Sequence, residues 1–339
     1  MTDRTLRGEP TSASSDSWPI ELADVVRARD RIRSYLPPTA LRQYAPLDEA
    51  VGRDIRVLVK HENHNPTNSF KIRNALSAMT VLSGDERRRG VVAGTVGNHG
   101  QGLAYAGHLL GIPVTLCVPQ NGNAEKNASM RGYGATVIED GDDYDDAVAH
   151  AERLVREQGL VLIHSTNNRE ILAGAGTLTL EILEQEDELD AIVVAVGGGS
   201  QAVGAMTVLR ERAPSVQVYG VQASGAAALY DSWRAGRPVP RPHARTFADG
   251  IATRSTYTMT FDALCAGLAD FVTVSDAEIA TALRLLLRTT HNLAEGAGAA
   301  GLAGLFKLGD KLAGQRVAVV LSGGNVDEPT LRRIVLEQA

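Results

Sequence analysis

Several residue types and patterns are scarce in this sequence, and each absence excludes a class of protein. Only two cysteines, Cys117 and Cys265, occur in 339 residues, so we expect no disulfide framework and predict a cytoplasmic location. No apolar run approaches the roughly 18 residues that span a bilayer, and the opening segment lacks the apolar region of a secretory signal. The net charge of −6 is not that of a nucleic-acid-binding protein. We therefore expect no membrane partner and no nucleic-acid partner.

Aromatic residues are also few, at 4%, whereas glycine is abundant at 34 residues and hydrophobic residues reach 44%. Short β-branched runs alternate along the chain with amphipathic segments such as 142–158 and 276–290. The predicted strands are 55–59, 91–94, 114–118, 135–139, 160–164, 191–196, 216–221, 271–274 and 317–322. Because several of these runs are apolar on both faces, they are typical of parallel strands buried between helices. The sequence thus predicts an α/β fold.

The predicted strands are too many for one small sheet, so we divide the chain into two α/β lobes. Residues 83–166 form the predicted small domain, and residues 19–82 together with 167–339 form the larger one. Residues 1–18, which are rich in Ser, Thr, Asp and Arg, are expected to be a disordered tail. A cleft between the two lobes is the expected ligand site.

The first candidate for chemistry is Lys71, in the segment 66–79. Asn68 or Ser69 is expected to cap a helix whose first turn contains this lysine. A cation at a helix amino terminus opposes the helix dipole, and an apolar wall nearby would also favour the neutral amine. A lysine that forms a Schiff base requires that neutral form. The alternative interpretation is an ordinary solvated lysine.

Two glycine-rich stretches follow predicted strands and begin predicted helices, which is where open α/β sheets bind ligands. In the stretch 93–107, the turn at 97–100 presents backbone N–H groups that suit a carboxylate, although it also fits an ordinary βα turn. In the stretch 191–205, three glycines and a serine after a buried strand predict a phosphate cradle. The same residues fit a dinucleotide-binding motif, but that motif needs an acid near Gln222, where there is none. A phosphate site is therefore favoured over a nicotinamide site.

Two further patterns are weaker on their own. The stretch 317–327 places Ser322 before two glycines at the end of the last predicted strand, where a serine is most often a helix N-cap. His61 and His64 have a spacing that could suit a metal, but no third ligand is in register, so a structural or exposed position is expected. The sequence has no Gly-x-Ser-x-Gly elbow and no Cys-x-x-Cys pair, so neither of those catalytic motifs is available.

Five motifs, taken in order, make the sequence similar to the threonine/serine dehydratase and serine racemase group of fold type II pyridoxal-phosphate enzymes. The motifs are SFKIRNA, GTVGNHGQG, VGGGS, EGAGAAGLAGL and LSGGNVD, and the resemblance runs from about residue 20 to the C-terminus. It implies a tryptophan synthase β-like fold, with two open, parallel-type α/β lobes and the site in the cleft between them. It also implies pyridoxal 5′-phosphate as the cofactor and a small amino acid as the substrate.

The resemblance also implies roles for particular residues. Lys71 would form the Schiff base and act in catalysis, and Phe70 would pack against the cofactor ring. Asn98 would bond the ring oxygen O3′, Ser322 would face the pyridine nitrogen, and Glu295 matches the acidic position of the late glycine-rich motif. The phosphate would be held by Gly197, Gly198, Gly199 and Ser200. The substrate would be bound by Ser69, Thr95, Val96, Gly97, Asn98 and His99.

These roles lead us to expect a lyase of the threonine or serine dehydratase type, which converts a β-hydroxy amino acid to a 2-oxo acid and ammonia. The cofactor would supply an electron sink, and the freed Lys71 amine would remove the Cα proton. A neutral hydroxyl at the ring nitrogen favours expulsion of a β-leaving group. Val96 stands where racemases of this group carry a proton-relaying serine, so we do not expect efficient racemisation.

The sequence departs from the group's pattern at other positions. Gln222 and Ala228 replace two acidic residues of the group's metal site, so no bound metal is expected. Asn68 stands where relatives usually have glycine, and the loop in 163–177 differs from the commoner dehydratase loop, so a substrate other than threonine stays open. Because the sequence ends at Ala339, we expect no C-terminal regulatory domain of the isoleucine-sensing kind.

Three alternatives stay open. The first is a β-replacement synthase, although such relatives usually have Thr-Gly-Asn-Thr-Gly where this chain has Asn98 and His99. The second is a lyase for a modified hydroxy amino acid such as 3-hydroxyaspartate, whose second carboxylate Arg254 or Arg169 could bind. The third is a binding protein on a retired enzyme scaffold, which the retention of Lys71 disfavours. Because relatives commonly form dimers or tetramers, we expect a homodimer or homotetramer.

Overall fold

The computed structural model describes residues 18–336, which form fourteen α-helices and ten β-strands. In chain order the helices are α1 (Leu22–Ile32), α2 (Ala45–Val51), α3 (Lys71–Thr80), α4 (Gly84–Arg89), α5 (Asn98–Leu110), α6 (Ala124–Gly132), α7 (Tyr144–Gln158), α8 (Arg169–Gln185), α9 (Ser200–Arg212), α10 (Ala228–Ala235), α11 (Phe261–Gly267), α12 (Asp276–Thr290), α13 (Gly296–Leu308) and α14 (Glu328–Leu336). The strands are β1 (Leu41–Gln43), β2 (Arg56–His61), β3 (Val91–Gly94), β4 (Val114–Val118), β5 (Thr136–Glu139), β6 (Val161–Leu162), β7 (Ala191–Ala195), β8 (Gln217–Ala223), β9 (Asp270–Val274) and β10 (Arg316–Leu321).

The strands form two separate sheets. A six-stranded sheet has the order β1-β2-β10-β7-β8-β9, in which β1 is antiparallel to β2 and the remaining neighbours are parallel. A four-stranded sheet has the order β5-β4-β3-β6 and is parallel throughout. Every predicted strand is present, and the α/β class with open parallel sheets is confirmed.

Helices cover both faces of the large sheet, and this explains why its strands are apolar on both sides. One hydrophobic cluster packs α12 and α13 on one face, and a second packs α8 and α9 on the other. Strand β7 lies between them, and all five of its residues are buried. Ligands bind to such a sheet at the carboxyl ends of its strands, where the turns that lead into the helices begin.

The four-stranded sheet and its helices form a smaller lobe. Its strands all fall within residues 83–166, but its core also receives side chains from earlier in the chain, including Ile32, Leu36, Ile72 and Leu76. Helix α3 therefore packs against the small lobe as well as joining the two lobes.

The amino-terminal segment that we expected to be a tail lies almost entirely outside the described residues. Its last member, Trp18, is described and is tied to the large lobe. The Trp18 indole Nε1 donates a hydrogen bond to Thr207 Oγ1 at 2.8 Å, and the Arg210 guanidinium lies 4.2 Å from the Trp18 ring centre. Within residues 18–336, no helix combines the length and the hydrophobicity needed to cross a bilayer.

Candidate active site

A cleft lies at the carboxyl edges of the two sheets and takes its walls from both lobes. It encloses about 860 Å³ including its open mouth. Twelve of the residues proposed from the sequence line this cleft: Phe70, Lys71, Thr95, Val96, Gly97, Asn98, His99, Gly197, Gly198, Gly199, Ser200 and Ser322. Glu295 lines it too, so residues from distant parts of the chain meet there. Ser69 is fully buried beside Gly323 but is not part of the cleft wall.

Lys71 is the first residue of α3 and extends into the cleft. Its Nζ lies 5.0 Å from the centre of the Phe70 ring. Burial lowers the pKa of Lys71 to about 8, while the attraction of Glu295 partly opposes that shift. At pH 7 roughly a tenth of this amine is therefore neutral, far more than for an ordinary lysine, and that neutral form is a nucleophile and a base.

The helix of Lys71 does not begin as the sequence predicted. Neither Asn68 nor Ser69 caps α3; the cap position is Phe70, without any side-chain hydrogen bond. Asn68 instead adopts a left-handed conformation with φ of 51°, which explains why glycine would be favoured at this position and why asparagine is tolerated. The turn is held from the last strand, because the Phe70 N–H donates to the carbonyl oxygen of Ser322 at 3.0 Å.

A glycine turn forms one end of the cleft. It follows β7 and leads into α9, whose first N–H groups have no partner within the helix. A Cβ on Gly198 would lie 2.1 Å from Thr166 Oγ1, and one on Gly197 would lie 2.6 Å from the carbonyl oxygen of Gly250. Gly199 has φ of 94°, which also favours glycine. Thr260 Oγ1 donates to the carbonyl oxygen of Gly198 at 2.7 Å and so stabilises the turn.

Asn98 and Glu295 form a polar pair in the cleft wall. Asn98 Nδ2 donates to Glu295 Oε1 at 2.5 Å, and Asn98 Oδ1 accepts from Asn325 Nδ2 at 2.9 Å. Burial raises the pKa of Glu295, while the Lys126 ammonium and the Asn98 hydrogen bond oppose that shift. The pair places an amide and a carboxylate, one from each lobe, at the same wall.

The Thr95–His99 turn presents backbone N–H groups at the start of α5. Thr95 Oγ1 accepts from the N–H groups of Gly97 and Gly100, both at 3.1 Å, and so fixes the turn. His99 Nε2 donates to the carbonyl oxygen of Ile163 at 2.9 Å, which leaves Nδ1 as an acceptor without a partner among residues 18–336. Burial and the neighbouring Lys71 lower the pKa of His99 to about 3, so the ring is neutral.

The sequence did not single out several residues that line or support the cleft. Lys126 on α6 reaches across from the small lobe, and its Nζ lies 3.5 Å from Asp249 Oδ2 and 3.9 Å from Glu295 Oε2. Gln201, in the first turn of α9, lines the cleft with a buried Nε2 that has no partner among the described residues. A polar side chain two residues after a glycine turn is a signal that could have been used.

A second unpredicted group consists of side-chain hydroxyls. Four of them also line the cleft: Tyr144, Ser165, Thr253 and Tyr257. The Tyr144 hydroxyl and Ser165 Oγ are 2.9 Å apart, and Thr253 Oγ1 accepts from Gln222 Nε2 at 3.1 Å. Burial raises the pKa of Tyr144 and that of Tyr257, so both phenols keep their protons.

Arg169 and Arg254, the two arginines considered as partners for a second substrate carboxylate, do not line the cleft. Arg169 donates to the carbonyl oxygen of Pro19 at 2.7 Å and to Asp24 at 2.9 Å, outside the cleft. Arg254 is not part of the cleft wall and is paired with Asp143 and Asp145. Among the described residues there is no group of three His, Cys, Asp or Glu side chains that could hold a metal ion.

Two other sequence patterns are resolved by the fold. The ring of His61 is buried and stacks on that of His64 at 4.7 Å, and it is hydrogen-bonded to the Tyr44 hydroxyl at 2.9 Å. Ser322 does not cap a helix, because the next helix, α14, begins at Glu328. Ser322 is instead buried at the end of β10 and lines the cleft.

The residues present fit a phosphorylated aromatic aldehyde. A glycine turn at a helix start suits the phosphate, and the orphaned Gln201 Nε2 offers one more donor in the same region. Lys71 supplies an amine of lowered pKa for the aldehyde, and Phe70 supplies an apolar contact beside it. The fold and the cleft together define an α/β enzyme built around a lysine-bound cofactor.

The chain belongs to the pyridoxal-phosphate dependent enzyme family, whose model matches residues 32–323. It is 37% identical to an L-threonine ammonia-lyase of Thermotoga maritima over 93% of this chain and 78% of that protein. It is 35% identical to an L-threo-3-hydroxyaspartate ammonia-lyase of a Pseudomonas species over 90% of this chain and 95% of that protein. The crystal structure of a threonine deaminase from T.th. is similar with a TM-score of 0.85 and 35% identity, over 91% of this chain and 99% of that one.

Some matching relatives are longer than this chain. The chain spans 54% to 60% of the length of four biosynthetic L-threonine dehydratases. The similarity to the threonine/serine dehydratase and serine racemase group, the fold type II architecture and pyridoxal 5′-phosphate as cofactor are confirmed.

Proposed function

We propose that this chain is a pyridoxal-phosphate-dependent ammonia-lyase that acts on a β-hydroxy amino acid. The observation that carries the proposal is Lys71, an amine with a pKa of about 8 that shares a cleft with a glycine turn at a helix start. Relatives named for ammonia release from threonine and from 3-hydroxyaspartate support the same reaction class. The products are a 2-oxo acid and ammonia.

The proposed cofactor contacts come from four elements. Gly197–Gly199 and Ser200 would hold the phosphate at the start of α9, and Lys71 would join the aldehyde carbon. Phe70 would pack on the ring, and Ser322 would meet the ring nitrogen. Asn98, held by Glu295 and Asn325, would donate to the ring hydroxyl, and Glu295 would lie behind it.

The proposed chemistry divides between the cofactor and the chain. When bound, pyridoxal phosphate supplies an electron sink for charge that develops at the substrate Cα. Lys71 Nζ, once displaced by the substrate amine, would accept the Cα proton, because burial lowers its pKa to about 8 and makes the neutral form more accessible than in an ordinary lysine. The same ammonium could then return a proton to the departing β-hydroxyl, which leaves as water. Hydrolysis of the released enamine gives the 2-oxo acid and ammonia.

The Thr95–His99 turn would hold the substrate carboxylate. Its N–H groups at the start of α5 suit an anion, and the neutral His99 leaves Nδ1 free to accept one hydrogen bond. Ser69 lies behind the cleft wall rather than in it, and we propose that its buried Oγ, which has no partner among the described residues, binds substrate from the segment before α3. Val96 offers no proton at the cleft wall, so elimination is favoured over racemisation.

We also propose a cytoplasmic homodimer or homotetramer in which 83–166 forms the small domain, and 19–82 with 167–339 the large one. The reducing cytoplasm suits a chain whose two cysteines are unpaired, one buried and one exposed. Gel filtration with light scattering would measure the assembly.

A screen of β-hydroxy amino acids for ammonia and 2-oxo acid release tests the function. We expect release from at least one of them, together with a visible absorbance band after incubation with pyridoxal phosphate. Lys71→Ala should abolish both signals, whereas Lys307→Ala, at an exposed ion pair with Glu278, should preserve both. Capture of an added thiol without ammonia release would contradict the proposal and favour a β-replacement synthase.

A further inference from the structure

Asn325, in the loop that follows β10, contacts the smaller lobe at the first residue of α5. Its Nδ2 donates to Asn98 Oδ1 at 2.9 Å and to the carbonyl oxygen of Thr67 at 2.8 Å. Gln101 Oε1, one turn further along α5, lies 3.1 Å from the same nitrogen. Asn325 does not line the cleft that contains Lys71, so an effect on the chemistry has to pass through another residue.

The backbone carbonyl of Thr67 decides which end of the Asn325 amide faces α5. A carbonyl oxygen only accepts hydrogen bonds, so Asn325 must turn its NH2 group, and not its oxygen, toward Thr67. The opposite end of the amide agrees, because Asn325 Oδ1 accepts from Asn68 Nδ2 at 3.3 Å. The loop is also held by its backbone, since the Gly324 N–H donates to the carbonyl oxygen of Asn68 at 2.8 Å. Asn68 thus supplies a side-chain contact that a glycine at this position would lack.

The orientation of Asn325 in turn decides that of Asn98. The NH2 group of Asn325 requires an oxygen as its partner, so Asn98 Oδ1 faces Asn325 and Asn98 Nδ2 faces Glu295 Oε1 at 2.5 Å. Glu295 alone does not impose this orientation, because burial raises its pKa and a protonated carboxyl group donates as well as accepts. The Thr67 carbonyl does not titrate, so the contact through Asn325 is independent of the protonation of Glu295.

Resting on the proposed function, in which Asn98 donates to the ring hydroxyl of the cofactor, we infer that Asn325 is a positioning residue that keeps the NH2 group of Asn98 turned into the cleft. Asn98 lines the cleft, and the opposite orientation of its amide would present an acceptor there instead of a donor. A single hydrogen bond of this kind changes an affinity by roughly threefold to tenfold.

The affinities of the apoprotein for two cofactors test the inference without any turnover. The probes are pyridoxal phosphate and an analogue that lacks the ring hydroxyl, and the ratio of their dissociation constants isolates the contact with that hydroxyl. The unchanged protein should prefer pyridoxal phosphate by about threefold to tenfold. Asn325→Asp presents only acceptors to Asn98, so the Asn98 amide should turn and the preference should disappear or reverse. A substitution that only disturbed the fold would weaken the binding of both cofactors equally and leave the ratio unchanged.

Asn168→Asp is the control for the added charge. Asn168 is half-buried, as Asn325 is, and does not line the cleft. Its side chain caps α8 by accepting from the N–H groups of Glu170 and Ile171, and aspartate caps a helix about as well as asparagine. The ratio for this variant should therefore equal that of the unchanged protein.

Asn325→Ala removes the donor without adding a charge, which keeps the test decisive if Asn325→Asp does not fold. It should lower the preference for pyridoxal phosphate by about threefold, but should have no effect on the ratio in the Asn98→Ala background, because Asn325 acts through Asn98. An effect that persists in that background, or a ratio that neither Asn325 substitution changes, would overturn the inference and leave the proposed function standing.

Two other results separate the inference from the function on which it rests. Equal affinities of the unchanged protein for the two cofactors would overturn the contact between Asn98 and the ring hydroxyl, and the inference with it. Absence of ammonia from every β-hydroxy amino acid, with the ratios as expected, would overturn the proposed reaction and support the role of Asn325.

Discussion

A cluster of buried charges at α3, the helix that begins with Lys71, leads to a prediction about stability. Four buried side chains form it: Lys60 on β2, Glu62, Arg73 on α3 and Glu181 on α8. Glu181 Oε1 accepts from Arg73 Nη1 at 2.6 Å, and Oε2 accepts from Arg73 Nη2 at 2.8 Å and from Lys60 Nζ at 2.7 Å. Two cations and two carboxylates balance, so removal of one carboxylate leaves an unpaired buried cation.

Glu181→Gln removes that charge while keeping the shape of the side chain. Breaking a buried, hydrogen-bonded ion pair costs about 3–5 kcal/mol in the free energy of unfolding. Glu184→Gln, on the same helix, is the matched control, because Glu184 is 58% exposed in its pair with Arg29. An exposed pair contributes only about 0–1 kcal/mol, so the control should lose little.

The loss at position 181 should also depend on pH. Burial lowers the pKa of Lys60, and Glu181 opposes that shift, so the variant lowers the pKa of Lys60 further. The unfolded chain then binds more protons than the folded chain between the lowered pKa and about 10.4, so stability rises with pH in that range. Urea unfolding of both variants, followed by far-UV circular dichroism from pH 7 to pH 9, should show the deficit of Glu181→Gln shrinking. Losses of similar size at positions 181 and 184, or a deficit that grows with pH, would refute the reasoning.

Two further predictions concern the cleft. Gly198→Ala would place a Cβ 2.1 Å from Thr166 Oγ1 and should weaken the binding of pyridoxal phosphate by about tenfold or more. Gly132→Ala is the control, because a Cβ at position 132 would have no atom within 4 Å, and it should leave the affinity unchanged. Fluorescence titration of the apoprotein with pyridoxal phosphate measures the affinity of both variants. Lys126→Met removes a cation that lowers the pKa of Glu295, so that pKa should rise and the acid limb of the kcat/KM profile should move to higher pH. An unchanged acid limb would mean that the protonation of Glu295 does not limit the reaction.

The fold was largely predictable because its strands are buried on both faces. Runs such as 191–196 and 317–322 have no polar face and end in glycine, so the parallel sheet and its turns follow from local pattern. Strand β1 was missed, because it has only three residues, none of them buried, and its position depends on an antiparallel pairing with β2. Short edge strands carry almost no signal in their own residues.

The site was predictable where one local rule decides a residue. A glycine turn at the end of a strand can be recognised in the sequence, and so can a lysine at the start of a helix. The hydroxyl-bearing residues of the cleft could not be predicted in this way, because Tyr144 and Tyr257 are 113 positions apart in the sequence and resemble ordinary aromatic residues. The buried charges were missed for the same reason, since Arg73 finds Glu181 only when α3 packs on α8.

Helix α3 carries two buried basic side chains whose pKa values shift in opposite directions, because their charged partners differ. Burial alone would lower the pKa of Arg73, but the carboxylates of Glu62 and Glu181 raise it, so the guanidinium is a fixed cation that joins α3 to α8 and to the segment after β2. Two residues earlier, Lys71 is desolvated with only Glu295 as an opposing charge, and its pKa falls to about 8. Arg73 therefore fixes the position of α3, whereas the amine of Lys71 stays available for reaction. A rigid support beneath a desolvated amine of lowered pKa is the arrangement that an aldehyde-binding lysine requires.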